Sequence, residues 1–544
     1  MQQPQSEVNY NQHRQQISAH PAQPAEVKPM PLGVILTIAL AIRLLAAVFS
    51  KGYAFSDDHF DVIKIAQNWL YDLPYWLNTD MPPRHSMFYT GLHYFIFYTL
   101  EAAGINSPDT KMLVIRLLHA FYSLLIVYFG YKITELLSSK TNARLAGLML
   151  ALIWFMPFMS VRNLVEMVCI PPYLAAFYLM LKYEKQALNN WKWLLPGALF
   201  ALAFVLRYHT ALFVAGAGFV LLYRRQWAQL AWLSFGFILV AFLIQGTIDI
   251  IFFDYPFHSI ITYFFYNAEN AYGFNTGPAY RFLLTVLGFL VPPISVFLLM
   301  GYARTRRLAP MLFWAGLLFF VVHSLFPNKQ ERFIFPLLPL IVILGVTGWQ
   351  SYVQHSPFWL KHRRWLAYSW RFFWVLNIAA AIGLSLTYSK KSRVAPLVYL
   401  SDKENVEAIV LETGEGGVKN PPLFYLGHMS ATYQEYQDDN YQAWAKYKNG
   451  QPLPHNFIMV YTLDENTTLA KLQQQIAQMK RKPTYVVMAG NKNLEQRLAR
   501  LRKLYPALTL ETSIKPSLYD QVLQRLNPGV HKDESVQIYR IGKK

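Results

Sequence analysis

Cysteine and charge are both scarce in this chain. A single cysteine, Cys169, stands inside an apolar run of a 544-residue sequence, which excludes an intrachain disulfide framework and a cysteine-cluster metal site. Charged residues make up only 15% of the chain, whereas apolar residues make up 54% and aromatic residues 16%. An ordinary soluble protein of this length carries more charge, so the composition predicts a protein that resides in a lipid bilayer.

Acids are scarcer than bases, which leaves a formal net charge of +19. A strongly basic chain is typical of nucleic-acid-binding proteins. Here, however, the excess is spread along the chain, and in the apolar part it falls mostly in short loops. This distribution indicates membrane orientation and not a nucleic-acid partner.

The apolar runs predict a polytopic α-helical membrane protein with about eleven transmembrane segments. A helix needs roughly 20 apolar residues to cross the hydrocarbon core of a bilayer. The runs that reach or approach this length are 31–50, 112–133, 144–161, 165–182, 193–206, 209–223, 228–252, 281–301, 309–326, 332–350 and 366–388.

The loop charges predict the orientation. With a cytoplasmic N-terminus, the loops on that side hold fifteen Lys and Arg against two acids, and the opposite loops hold eight against eleven. Residues 1–30, rich in Gln, Pro and Ala, are then expected to be a disordered cytoplasmic tail before the membrane domain 31–389. The first external loop, 51–111, and residues 390–544 are expected to be extracytoplasmic.

Residues 390–544 differ in pattern from the membrane part. The strand-like runs "HNFIMVYT" and "PTYVVMAG" alternate with helical stretches at 467–481 and 493–505. This alternation predicts a small α/β domain.

Ionisable residues within or beside the predicted spans are expensive to bury, so each is a candidate for function. They are Arg43, Arg116, Arg162, Glu166, Arg207, His209, Asp249, Asp254, Lys329, Glu331 and Arg332. Most of them map near the external face.

The stretch "FSDDHF" follows the first span and places Asp57 and Asp58 after Ser56, a predicted helix N-cap. Acids are common at helix starts for electrostatic reasons alone. At the membrane surface, however, a carboxylate can also accept a proton from an incoming hydroxyl while a lipid-borne phosphate leaves. Both interpretations stay open at this point.

The segment "FFDYPFHSIITYFFYNAENAYGF" interleaves aromatic rings with amides such as Asn267. It fits an interfacial aromatic belt. It also fits a sugar-binding surface, where rings stack on the sugar and amides bond to its hydroxyls.

Four motifs in order resemble glycosyltransferase family 22, the polyprenyl-phosphate-mannose-dependent α-mannosyltransferases that include the GPI-anchor and N-glycan-precursor enzymes. The resemblance covers about residues 31–350 and rests on "FSDDHF", "VRNLVEM", "YNAENAYGF" and "PNKQERFIFP". The first motif lacks the family's His-Pro pair, and Asn328 stands where the last motif usually has histidine.

This resemblance implies a GT-C fold with an active site at the external membrane face. It implies a polyprenyl-phosphate-linked sugar as donor, a lipid or glycan acceptor, and transfer with inversion without a nucleotide sugar. With a carboxylate as base and cations for the leaving phosphate, the residues themselves require no metal or other cofactor. The bacterial inner membrane is the expected location, or the endoplasmic reticulum membrane in a eukaryote.

The resemblance also implies roles for individual residues. Asp57 is expected to be the general base, with Asp58 positioning the base or the acceptor. Lys329, Arg332 and Arg207 are expected to bind the donor phosphate. The residues expected to contact the acceptor or the sugar are His59, Arg162, Glu166, Asn267, Tyr272 and Glu331.

Two other classes remain open from the sequence. A transporter or flippase would use the intramembrane charges as a path, although no repeated half with a second broken helix is evident. A non-catalytic relative could use its external domain to bind a partner.

Overall fold

The computed structural model describes residues 30–73, 86–186, 189–414, 420–439, 444–464, 467–528 and 533–542. The predicted N-terminal tail lies outside the described residues except for Met30. The first external loop is described on both sides of 74–85.

The part of the chain before residue 390 is built from helices. Their bounds are Leu32–Phe49, Ser56–Asp58, His59–Lys64, Ile65–Leu70, Met87–Ala102, Pro108–Tyr122, Leu124–Leu137, Lys140–Leu152, Met156–Ser160, Val165–Val168, Ile170–Gln186, Asn190–Trp193, Leu194–Leu206, Tyr208–Thr210, Ala211–Tyr223, Trp227–Ala241, Phe242–Gly246, Thr247–Phe253, His258–Glu269, Arg281–Phe289, Ile294–Arg304, Pro310–Leu325, Glu331–Leu337, Leu338–His355, Pro357–Lys361 and Arg363–Ser385.

Five described stretches are long and apolar enough to cross a bilayer: Leu32–Phe49, Pro108–Leu137, Val165–Gln186, Trp227–Phe253 and Glu331–His355. A sixth results if Arg281–Phe289 and Ile294–Arg304, bent by 114°, form one span. The protein is thus a multi-pass helical membrane protein, but the eleven predicted segments are not confirmed. Several of the predicted runs fold as shorter helices, namely Asn190–Leu206, Tyr208–Tyr223 and Pro310–Leu325.

The break at Arg207 shows how this happens. Helix Leu194–Leu206 ends at Arg207, whose backbone is extended (φ −152°, ψ 107°), and a 3₁₀ turn precedes the next helix. The shorter apolar helices in this region do not qualify as spans by length. The break turns a charged side chain away from the helix axis, and this side chain reappears in the site described below.

Arg43, a candidate for function by its place in the first span, has a structural role. Its guanidinium donates to Ala151 O at 3.1 Å and to Leu150 O at 3.2 Å, and its Nε donates to Ser123 Oγ at 3.1 Å. The last carbonyls of a helix lack intrahelical partners, and helix Lys140–Leu152 ends at these residues. Arg43 therefore caps that helix inside the bundle.

Glycines allow two helices of the bundle to pack backbone against backbone. A Cβ atom on Gly301 would stand 2.0 Å from Gly345 O and 2.6 Å from Trp349 N. Gly345 and Gly348 are equally crowded from the opposite side, by Leu298 and Gly301. Helices Ile294–Arg304 and Leu338–His355 can approach this closely because these positions lack a side chain.

The C-terminal region confirms the predicted α/β character. It contains a six-stranded mixed sheet, whose strands are β1 (Ala408–Glu412), β2 (Ser430–Thr432), β3 (Ile458–Leu463), β4 (Pro483–Ala489), β5 (Leu508–Ile514) and β6 (Val536–Ile541). The strand order is β2-β3-β1-β4-β6-β5, with β2, β3, β1 and β4 parallel and β6 antiparallel to both of its neighbours. The accompanying helices are Lys391–Ser401, Leu423–Leu426, Tyr433–Gln437, Ala445–Lys448, Leu469–Met479, Leu494–Arg502 and Leu518–Leu526.

The two faces of the sheet pack into different cores. On β1, Ile409 joins the large core that continues into the bundle, whereas Ala408 and Val410 join a second core under the outer helices. Alternation of this kind follows from the two-residue period of a strand. The sheet is therefore packed directly onto the membrane part of the chain.

The first external loop lies between the bundle and the C-terminal region. Lys64 forms an ion pair with Glu435 at 2.7 Å, and both side chains are largely buried. Ser389, at the start of the C-terminal region, donates from its backbone N to Lys51 O at 3.0 Å and from Oγ to Tyr53 O at 2.9 Å. The loop is thus held from both sides.

We expect Gly301→Ala to destabilise the bundle by about 1–3 kcal/mol, because an added methyl group would overlap a backbone carbonyl and force the helices apart. Thermal unfolding of the purified protein in detergent measures this effect. Gly288→Ala is the matched control, since a Cβ atom at Gly288 meets nothing within 4 Å. Equal unfolding temperatures for the two variants would contradict the proposed close packing.

Candidate active site

The paired acids sit on a short, segmented helix. The helix begins at Ser56 itself, with Phe55 as the N-cap, and changes to a π-helix at His59–Lys64. Ser56 is therefore the first helical residue and not the predicted N-cap. Successive helical residues point about 100° apart, so the side chain of Asp57 is 41% exposed while Asp58 is 4% exposed.

Asp57 lies beside a buried pair of arginines. Arg332 Nη2 donates a hydrogen bond to Asp57 Oδ2. The same guanidinium reaches Glu166 Oε1 through Nε at 3.7 Å, and Arg207 Nη2 reaches that oxygen at 3.1 Å. Glu166 is fully buried, and both arginines are at most 5% exposed. One buried carboxylate therefore holds two cations beside the exposed Asp57.

Local structure explains why these side chains meet. Arg332 is the second residue of the 3₁₀ helix Glu331–Leu337, and Arg207 occupies the helix break described above. The guanidiniums also lie over Phe333, with 5.2 Å from Arg207 and 5.6 Å from Arg332 to the ring centroid. An arginine can stack on a ring and still present its N–H donors at the edge.

An open cleft of about 240 Å³ lies over this cluster. Its wall is partly aromatic and partly polar. The lining residues are Phe55, Ser56, Asp57, Arg207, Tyr263, Tyr266, Asn267, Phe274, Asn328, Gln330, Arg332 and Phe333. Of the predicted site residues, the cleft brings together Asp57, Arg207, Arg332 and Asn267.

Sequence reasoning missed Tyr263 as a wall residue. Its hydroxyl lies 2.9 Å from His209 Nε2, and its carbonyl accepts from Asn267 Nδ2 at 2.7 Å. Tyr263, Tyr266 and Asn267 recur at three- and four-residue spacing on helix His258–Glu269. This spacing places them on one helical face, which is the signal that could have identified Tyr263.

Asp58 points into the protein beneath the cleft. Its Oδ1 is buried without a hydrogen-bond partner among the described residues, and its carbonyl accepts from Asn163 Nδ2 at 2.6 Å. Burial raises the pKa of Asp58 well above its usual value, and nearby Glu166 raises it further, while Arg332 opposes the shift. The two adjacent acids therefore have different environments.

Arg162 holds the entry of the loop and does not line the cleft. It donates from Nη1 to Gly52 O at 2.5 Å and from Nη2 to Ser50 Oγ at 2.7 Å, and its guanidinium lies 4.5 Å from the Phe158 ring. These contacts fix the backbone just before the acids.

Lys329, Glu331 and Tyr272 are also not among the cleft-lining residues. The Lys329 ammonium donates to the carbonyls of His323, at 3.2 Å, and Phe326, at the end of helix Pro310–Leu325. Glu331 pairs with Arg281 at 2.9 Å, and Tyr272 is 81% exposed. Lys329 and Glu331 thus connect segments of the chain that surround the cleft.

His59 is sandwiched between two tyrosines. Its ring stacks on Tyr53 at 4.8 Å and on Tyr425, from the C-terminal region, at 5.3 Å with an interplanar angle of 6°. Burial lowers the pKa of His59 to about 3, with Lys64 adding to the shift. The ring is therefore neutral at physiological pH and packs as an aromatic spacer directly beside the two acids.

This burial predicts a pH-dependent stability. The unfolded chain binds a proton at His59 below about pH 6.5, whereas the folded chain does so only near pH 3. The contribution of neutral His59 to the free energy of unfolding is thus fully present above pH 6.5. It is lost as the pH falls towards 3, at up to about 1.4 kcal/mol per pH unit. In His59→Phe, unfolding temperatures between pH 4 and 6.5 are expected to fall less steeply.

His355→Phe is the control for this measurement, because His355 is exposed at the end of helix Leu338–His355. The explanation fails if the two variants show the same pH slope as the unaltered protein.

The fold defines a structural class: a multi-pass helical membrane protein with a GT-C-type fold. The chain superimposes on ArnT from Cupriavidus metallidurans bound to undecaprenyl phosphate with a TM-score of 0.60, at 14% identity, covering 94% of this chain and 98% of that one. Superposition on the apo ArnT structure gives a TM-score of 0.55 and covers 93% of this chain and 97% of that one. At this identity the likeness establishes the fold alone.

The sequence identifies the family. The profile of the Alg9-like mannosyltransferase family matches residues 34–408, so the chain belongs to that family. It is also 23% identical over 398 residues to GPI mannosyltransferase 3 of Yarrowia lipolytica, covering 69% of this chain and 72% of that one. The predicted family is thus confirmed, and the protein is a membrane mannosyltransferase.

Proposed function

We propose that this protein transfers mannose from a polyprenyl-phosphate donor to a hydroxyl group of a lipid or glycan acceptor, with inversion at the anomeric carbon. The proposal depends on one observation: Asp57, the most exposed acid of the cluster, shares a cleft with two arginines that are held by a buried carboxylate. A base and a bound phosphate are the two elements that such a transfer needs.

Asp57 is the proposed base. As the acceptor oxygen attacks the anomeric carbon, its proton passes to Asp57, and the electrons of the breaking bond stay on the phosphate oxygen. Attack from the face opposite the phosphate inverts the centre. Asp58, which is buried one residue further along the helix, anchors the base through the backbone and does not itself meet the acceptor.

Arg332 and Arg207 are proposed to bind the donor phosphate. Arg332 Nη1 and Arg207 Nε have no hydrogen-bond partner among the described residues, so each guanidinium retains donor capacity beyond its contact with Glu166. Preorganised donors stabilise charge that develops on a leaving group. Glu166 is then a positioning residue, because it aligns both guanidiniums and offsets their mutual repulsion. No metal is needed for this step.

The sugar is proposed to lie against the aromatic wall. Tyr263 and Tyr266 offer ring faces, and Asn267 offers an amide for sugar hydroxyls. Lys329 is already bonded to two carbonyls, and Arg162 lies under the loop. We therefore assign both of them to positioning the walls of the cleft.

The polyprenyl donor also receives support from the ArnT structure, which contains undecaprenyl phosphate in the same fold. The proposal puts the cleft, the loop 51–111 and residues 390–544 on the extracytoplasmic side, in keeping with the loop charges. The membrane is the bacterial inner membrane, or the endoplasmic reticulum membrane in a eukaryote. The family match does not favour the transporter alternative.

Asp57→Asn is expected to reduce transfer about 10²–10⁴-fold, because the amide cannot accept the acceptor proton. The assay contains purified protein, polyprenyl-phosphate-[¹⁴C]mannose and a lipid and glycan extract from cells lacking the gene. It measures label in the product, polyprenyl phosphate released and, by NMR, the anomeric configuration of the product.

Asp72→Asn is the matched control on the same loop. The Asp72 side chain is 97% exposed, lies outside the cleft, and has a left-handed backbone (φ 54°) that asparagine also tolerates. Near-normal turnover by Asp57→Asn would remove this residue from the mechanism. Retention of configuration would overturn the proposed direct displacement.

Arg332→Lys is expected to lower kcat/KM for the donor about 10²–10³-fold, since lysine retains the charge but loses the planar fork that contacts two groups at once. Initial rates at varied donor concentration measure this. Arg304→Lys serves as the control, because Arg304 contacts Tyr352 and Met300 away from the cleft. An unchanged donor kcat/KM for Arg332→Lys would exclude this arginine from phosphate binding.

A further inference from the structure

Helix Leu518–Leu526 presents its apolar face away from the protein. At 100° per residue, all its apolar residues fall on one arc and all its polar residues on the other. The apolar side chains are strongly exposed: Leu518 78%, Tyr519 47%, Val522 44% and Leu526 76%. The polar arc consists of Asp520, Gln521, Gln524 and Arg525.

This arrangement is the reverse of the other long helices in the C-terminal region. Helix Leu469–Met479 buries Leu472, and helix Leu494–Arg502 buries Leu498 and Leu501. Helix Leu518–Leu526 buries no residue, although it is equally amphipathic. Its apolar face must therefore be covered by something other than the sheet of this domain.

A series of contacts connects the start of the helix to the end of the first candidate span. Strand β5 ends at Ile514, which pairs with Val536 of β6. Just before β6, Glu534 accepts a hydrogen bond from Ser392 Oγ at 2.8 Å. Ser392 is three residues beyond Ser389, whose backbone N donates to Lys51 O at 3.0 Å.

Lys51 in turn follows the candidate span Leu32–Phe49 by two residues. Three residues separate Ile514 from Leu518, so their Cα atoms lie at most about 14 Å apart. The helix is thus connected through β5, β6 and Ser392 to the segment that follows the first candidate span.

The residues around the helix suit a lipid surface. Lys515, three residues before the helix, and Arg525, on the helix, are exposed, and basic side chains beside an apolar helical face favour phospholipid headgroups. Tyr519 combines an apolar ring with a polar tip, as residues at the membrane interface commonly do.

We propose that helix Leu518–Leu526 lies in the bilayer interface and buries its apolar face among the lipids of the leaflet at which Leu32–Phe49 ends. The helix thereby anchors the C-terminal sheet to the membrane from its β5 edge. The first loop contacts the same C-terminal region through Lys64 and His59. The anchor does not depend on the donor or on the transfer chemistry.

The chain offers a clean labelling test, because its only cysteine, Cys169, is buried. A nitroxide label on Val522→Cys, in full-length protein in nanodiscs of phosphatidylethanolamine and phosphatidylglycerol, reports collisions with oxygen and with a water-soluble nickel chelate. Oxygen concentrates in lipid, and the chelate stays in water. Gln524→Cys, on the polar arc of the same helix, is the matched control, and Leu526→Cys is a second test position.

The proposal expects the oxygen-to-nickel collision ratio at Val522 and Leu526 to be several-fold higher than at Gln524. Equal ratios at the three positions would overturn it, because the helix would then lie in water. Low collision rates with both reagents would also overturn it, since they indicate a protein cover. In that case, dipolar broadening between labels of two copies would identify the cover as a second chain.

Discussion

The site depends on a charge arrangement in which one fully buried carboxylate holds two buried guanidiniums. Glu166 alone cannot neutralise Arg207 and Arg332, so the pair retains positive charge, and Asp57 at the cleft surface balances part of it. Removing one partner of such a cluster leaves an uncompensated buried charge, which costs about 3–5 kcal/mol. The cluster therefore constrains four distant parts of the chain to meet: the first loop, helix Val165–Val168, the helix break at Arg207 and the 3₁₀ helix Glu331–Leu337.

Two helices of the C-terminal region contribute to the same constraint from outside. Tyr425 stacks on His59, which follows the acids directly, and Glu435 pairs with Lys64 one turn later. Asn163 and Arg162 hold the same loop from the bundle side. The segment that carries the two acids is thus held by contacts to the helical bundle on one side and to the C-terminal region on the other. These contacts fix the position of Asp57. Preorganisation of this kind is what electrostatic catalysis requires.

The sequence anticipated much of the chemistry but less of the geometry. Asp57, Arg207, Arg332 and Asn267 were predicted and line the cleft, because polar groups near a membrane boundary are costly and mark sites. The direction of the Lys329 side chain was not predictable from the sequence. It depends on backbone carbonyls at the end of the preceding helix, which lack intrahelical hydrogen-bond partners. The eleven predicted crossings are not confirmed for a related reason: hydropathy measures apolar length, whereas a break such as the one at Arg207 divides an apolar run into shorter helices.

Two neighbouring carboxylates with different environments explain why an acid pair follows the first span. A helix turns successive side chains about 100° apart, so Asp57 faces the cleft while Asp58 faces the buried arginines and Glu166. Burial raises the pKa of Asp58, and nearby Glu166 raises it further while Arg332 opposes the shift. In the proposed mechanism, the pair consists of one exposed base and one buried neighbour that sets its position, and the backbone of a single helical turn is enough to separate these roles.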